Sequence, residues 1–92
     1  MGFARQYQQM RQAGVFAHMT REDRHALGAE AMKAESLFDL LVTAGIIHAD
    51  GTSGDPPAGT AWVTVEDQAG KRGVMALTPE QKQVVAYIFK VN

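Results

Sequence analysis

The chain contains no cysteine among its 92 residues. That removes disulfide frameworks, thiolate zinc sites and cysteine nucleophiles, and makes a reducing, cytoplasmic setting the default expectation. No apolar run approaches the roughly 20 residues that a membrane-crossing helix needs. Nor is there an excess of charge: nine Lys and Arg stand against ten Asp and Glu. Bulk charge therefore directs the chain neither to nucleic acid nor to a membrane, and any electrostatic recognition must come from a local patch. The N-terminal region carries Arg5 and Arg11 without an apolar h-region, so a secretory signal is not expected. Gln6 stands where a myristoylation motif requires Ser or Thr.

A hydrophobic fraction of 46% is sufficient for a core, and the length is that of one small domain, residues 1–92. The first segment, about residues 3–13, sets Phe3, Tyr7 and Met10 one helical turn apart and predicts a short amphipathic helix. Ala13-Gly14-Val15-Phe16 then has the chemistry of a Schellman ending, a left-handed glycine followed by apolar residues that fold back on the last turn. The same device recurs at Ala44-Gly45-Ile46-Ile47.

A second helix opens at Thr20, a capping residue followed by Glu22 and Asp23 at the positive end of the dipole. Leu27, Ala31, Ala34, Phe38 and Leu41 recur at spacings of four and three, widened by Leu37 and Leu40 into a core-facing stripe. Strong helix formers over residues 29–35 favour one continuous helix of six or seven turns. Gly28 dissents, and marks either a costly interior position or a break.

Residues 48–60 are rich in Gly, Pro, Asp and Ser and read as a loop. Asp50, Thr52 and Asp55 fail as a calcium loop because Gly54 and Ala61 stand where ligands are needed. Alternation over 61–66 and 73–77 about the turn Asp67–Arg72 predicts an antiparallel β-hairpin, with Gly70 available for a positive φ. Thr78-Pro79-Glu80-Gln81 combines an N-cap, proline at the first helical position and a capping-box glutamine. The last helix should carry Val84, Val85 and Ile88 on one face, with Tyr87 and Phe89 flanking, and end at Lys90-Val91-Asn92. The fold class is thus α+β, a small domain, mostly helical, with one β-hairpin between the second and last helices.

Met19-Thr20, Ala26-Leu27-Gly28, Leu37-Phe38-Asp39-Leu40-Leu41 and Ala44-Gly45-Ile46-Ile47, followed by Asp67 through Lys71-Arg72-Gly73 and Val74 to Glu80, resemble the winged helix-turn-helix of MarR-like regulators over residues 19–85. The resemblance implies a turn at Leu27-Gly28, a recognition helix ending at Ala44-Gly45, a wing tip at Lys71-Arg72, and a dimer on DNA. Arg21, Arg24, Lys71 and Arg72 would then meet phosphates and Lys33 base edges. The chain departs from that pattern in carrying Glu30 and Glu35 where the family faces DNA, and in its long connection after Ile47.

No arrangement of side chains points to catalysis. His18, His25 and His48 lack the helical spacing of a metal pair, and Ser36 and Ser53 have no neighbouring base. No cofactor is expected. Arg21, Arg24 and His25 form one small basic cluster and Lys71 with Arg72 another; they are either solvated charges or two contacts on a phosphate backbone. Trp62, the single tryptophan, either packs on the core and helix or stands exposed as an anchor. The acidic residues Glu30, Glu35 and Asp39 suit a protein partner better than DNA. Two functions follow as expectations. The first is a non-enzymatic adaptor or inhibitor that occludes a protein partner, as small phage proteins do to host or defence machinery; the second is a winged-helix regulator on DNA. Apolar residues at Trp62 and on the last helix make a homo-oligomer a further option.

Overall fold

The computed structural model describes residues 2–51 and 54–92. Thr52 and Ser53, both weighed above, lie outside the described residues. The first helix, α1 (Ala4–Gln12), buries Tyr7 and Met10. It ends as its sequence predicts: Gly14 is left-handed at φ 86°, its N–H donates to the Arg11 carbonyl at 3.0 Å, and the Val15 N–H donates to the Met10 carbonyl at 3.0 Å. That reversal sends Val15 and Phe16 into the core.

The second helix, α2 (Arg21–Lys33), is capped by the Thr20 hydroxyl, which accepts the Asp23 N–H at 3.1 Å. Gly28 lies in its interior, so the turn implied at Leu27-Gly28 is not formed there. The long continuous helix is also corrected: α2 stops at Lys33, Ala34 turns extended at ψ 143°, and a separate helix, α3 (Leu37–Thr43), begins. Two interactions outweigh the helix propensity of residues 29–35. The Ser36 hydroxyl accepts the Asp39 N–H at 3.1 Å and so starts a new helix. The Ala31 carbonyl is taken by the Phe3 N–H at 2.7 Å, so the terminal turn of α2 is satisfied by the N-terminal segment. The break lets Leu37, Phe38 and Leu41 turn into the core beside Leu27 and Ala31. Helix α3 ends in a second Schellman turn at Gly45, with the Ile46 N–H donating to the Leu41 carbonyl at 2.9 Å.

Strands β1 (Ala61–Glu66) and β2 (Arg72–Leu77) form the expected hairpin, pairing Ala61 with Leu77 through Glu66 with Arg72. Val63, Val65, Met75 and Leu77 point inward. The turn is held by the Lys71 N–H on the Asp67 carboxylate at 2.8 Å, with Gly70 at φ 85°. Beyond β2, His48 makes a two-bond bridge with Val74. The capping box of α4 (Pro79–Val85) is complete: Thr78 and Gln81 each accept the other's backbone N–H.

The C-terminal expectation needs correction. Helix α4 ends at Val85, and Lys90–Val91 form β3, which pairs antiparallel with β1. The element is therefore a three-stranded sheet in the order β2-β1-β3. The reason is non-local: the second edge of β1 would otherwise leave backbone groups unpaired. It is covered by setting Val91 opposite Val65 and by the Asn92 N–H donating to the Thr64 carbonyl at 3.2 Å. Phe89 is drawn inward in the same movement and meets Phe38 edge-on at 6.1 Å. Helices and sheet share one apolar cluster, with Met10, Ala31, Leu41, Val65 and Val85 fully buried.

Candidate functional site: the cleft between the first two helices

Helices α1 and α2 run antiparallel. The Phe3 N–H reaches the Ala31 carbonyl at 2.7 Å near the end of α2, and one turn further along α1 the Tyr7 hydroxyl donates to the Arg24 carbonyl at 2.6 Å, two turns earlier on α2. Tyr7 is the wall between the helices. It is stacked on Phe16 with ring centroids 5.2 Å apart and is 6% exposed. A Cβ on Gly28 would lie 3.1 Å from its ring. The glycine that costs α2 about 1 kcal/mol in propensity is therefore what lets the tyrosine lie against the helix.

Beside this wall the two helices enclose an open cleft of about 430 Å³. The antiparallel pairing polarises it. Ala4, Gly28, Ala29 and Met32 line the end where α1 starts and α2 finishes, and Arg11, Arg21, Arg24 and His25 line the other. Among the described residues no carboxylate lines the cleft; Glu22, Asp23 and Glu30 fall on other faces of α2. Arg24 is half-buried and held by its Nη1 donating to the Met19 carbonyl at 3.1 Å. Arg11 and Arg21 form no ion pair among the described residues. Met32 is 67% exposed, although it is a large apolar side chain.

Of the charged residues singled out in the sequence, Arg21 and Arg24 meet here together with His25 of the same cluster. Lys33 lies on α2 outside the cleft and pairs with Glu30 at 3.7 Å, one helical turn away. The cations of the hairpin are engaged within the chain. Lys71 Nζ reaches both Asp39 oxygens at 2.8 Å, and Arg72 Nε reaches Glu66 at 2.7 Å. The Asp39 hydrogen bond holds the Lys71 ammonium above its ordinary range against a smaller loss of hydration, and the charges of Asp39 and Asp67 add to it. Asp39 belongs to the first turn of α3, just past the end of α2, whereas Arg21 opens α2. Neither Lys71 nor Arg72 lines the cleft that holds Arg21 and Arg24.

Trp62 stands half-buried on the outer face of β1, donates its indole N–H to the Gly54 carbonyl at 3.0 Å, and meets His48 edge-on at 5.7 Å. These contacts pin the connection between α3 and β1. Sequence reasoning missed Arg11 and Met32. The available signal was the absence of any Asp or Glu in the first 21 residues, together with the helical spacing of Ala4, Tyr7, Gln8 and Arg11.

No group of three or more His, Asp or Glu side chains that could hold a metal ion occurs among the described residues. No helix among them is long and apolar enough to cross a membrane. No protein-family model, curated protein or solved structure matches the chain.

Proposed function

We propose that this protein is a small non-enzymatic binding module that acts by covering part of a protein partner's surface, as an adaptor or an inhibitor. The observation that carries this reading is the uneven use of its cations. Those of the hairpin are paired with Asp39 and Glu66, whereas Arg11 and Arg21, without an ion-pair partner among the described residues, share a cleft with an exposed Met32 at its other end. Charge left unpaired in a cleft that also exposes apolar surface suits a protein interface, in which an apolar centre is surrounded by a polar rim. A standard interface of about 800 Å² per partner would occupy a minor part of the 6050 Å² surface of the chain.

The winged-helix alternative has in its favour the order of α2, α3 and the β1–β2 hairpin. Against it, Lys71 at the hairpin tip is tied to Asp39 of α3, and α3 spans seven residues. Affinity capture on immobilised protein at physiological salt, followed by calorimetry with the purified partner, tests the first reading. Saturable binding of that protein, with a random DNA duplex left unbound, is the expected result. Duplex binding that weakens steeply with salt, with a shallower slope in Arg72→Ala, would replace it with the regulator. Sedimentation at rising concentration establishes whether the partner is a second copy of this chain.

A further inference from the structure

We propose that the α1–α2 cleft receives an acidic amphipathic helix of the protein partner. Its carboxylates face Arg11, Arg21 and Arg24, and one apolar side chain lies against Met32 and the small residues Ala4 and Ala29. This rests on the protein-binding reading and adds to it the surface used and the chemistry of what it binds.

Three features of the cleft lead to this occupant. The first is charge: the basic end gathers three arginines and His25 and, among the described residues, no carboxylate, so an anionic segment is complementary and a basic one is repelled. The second is the apolar end. Ala4 and Ala29 present almost no side chain, and the space above Gly28 is closed by the flat Tyr7 ring, which leaves a shallow trough against which a third helix can pack. Met32, 67% exposed, is an adaptable wall for an aliphatic group. A phosphate backbone would use the arginines but would leave Met32 without a counterpart.

The third feature is spacing. On α2 the basic end at His25 and Arg21 lies 7 and 11 residues before Met32, about 10 and 16 Å along the axis. A partner helix lying along the cleft therefore places its apolar anchor two to three turns from its acids, on one face of the helix. That periodicity is a recognisable sequence signature: an aliphatic residue with Glu or Asp at i+7, i+8 and i+11.

The test uses the whole chain, labelled with nitrogen-15, and a synthetic helical peptide carrying one Leu and Glu at those three spacings on an Ala and Gln background. A second peptide has Lys in place of Glu, and a third titrant is a random-sequence DNA duplex. The expected result is saturable amide shifts confined to the cleft around Tyr7, Arg11, Arg21, His25, Gly28 and Met32 with the acidic peptide, and none with the basic one. Arg21→Glu should weaken binding about tenfold, while placing an acid at the first position of α2, which the dipole favours, so that the fold is kept. Arg11→Gln and Met32→Ser should weaken it in the same direction, and Lys71→Gln should not.

The inference is overturned by an absence of shifts at millimolar peptide, by shifts scattered over the surface, by equal shifts with the lysine peptide, or by stronger cleft shifts with the duplex. If the captured protein partner binds wild type and all three cleft variants alike, the cleft assignment falls and the protein-binding reading stands. If only the duplex binds, both fall.

Discussion

The hairpin and the α1–α2 face carry cations in comparable number and use them in opposite ways. At the hairpin, Lys71 and Arg72 each have a carboxylate within 2.8 Å. Both contacts join segments that the fold has brought together, the hairpin turn to α3 and β2 to β1. On the helical face, Arg11 and Arg21 have no carboxylate partner among the described residues, and the acids of α2 point elsewhere. The difference teaches that basic residues in a sequence are not interchangeable as evidence of binding. A cation whose charge is answered within the chain contributes to the fold, and one left unanswered in an open cleft is available to a partner.

The comparison can be broken most severely from beneath. Phe16 is 1% exposed and carries the Tyr7 ring, so Phe16→Ala should cost about 3–5 kcal/mol in urea unfolding and loosen the cleft wall with it. A loss below about 1 kcal/mol would mean that the two faces do not share one core. Tyr7→Phe keeps the ring and removes the hydroxyl bond to the Arg24 carbonyl. A loss of about 1 kcal/mol is expected, and an unchanged urea midpoint would show that this bond does not hold α1 to α2.

Lys71→Gln should have a smaller effect, because the Asp39 pair is exposed. Its pH dependence has a definite sign. The folded-state pKa of Lys71 is raised above the ordinary 10.5, so the contribution is fully present below that value and is lost as pH rises through the folded-state pKa. The difference in unfolding midpoint between wild type and Lys71→Gln should be constant from neutral pH to mildly alkaline pH and shrink above about 10.5. A difference that grows there would contradict the pairing. The smallest effect belongs to Arg21→Gln, which should leave stability within about 0.5 kcal/mol. A larger loss would show that Arg21 serves the fold as the hairpin cations do, and would erase the contrast.

The caps and turns read correctly from the chain are each closed within a few residues. The Schellman turns at Gly14 and Gly45, the Thr20 cap, the Thr78–Gln81 capping box and the Asp67–Arg72 turn each depend on a side chain or φ angle acting on backbone at most five residues away, so the order of residues determines them. The alternation of β1 and β2 is legible for the same reason: side-chain direction follows from strand geometry alone. The features that escaped are settled by partners far along the chain. The break after Lys33 depends on Phe3, whose N–H takes the Ala31 carbonyl, as well as on Ser36. The third strand exists because β1 offers Val65 and Glu66 an open edge, which 90–91 fill. The same holds for the candidate site. Sequence could identify Arg21 and Arg24 as a basic cluster and Lys71 with Arg72 as another. Only the antiparallel docking of α1 on α2 set Arg11 beside the first cluster and Met32 at the opposite end of the cleft, and only the packing of the hairpin tip on α3 brought Lys71 to Asp39. Local backbone chemistry is written in neighbouring residues, whereas the pairing of charges depends on which surfaces the core forces together.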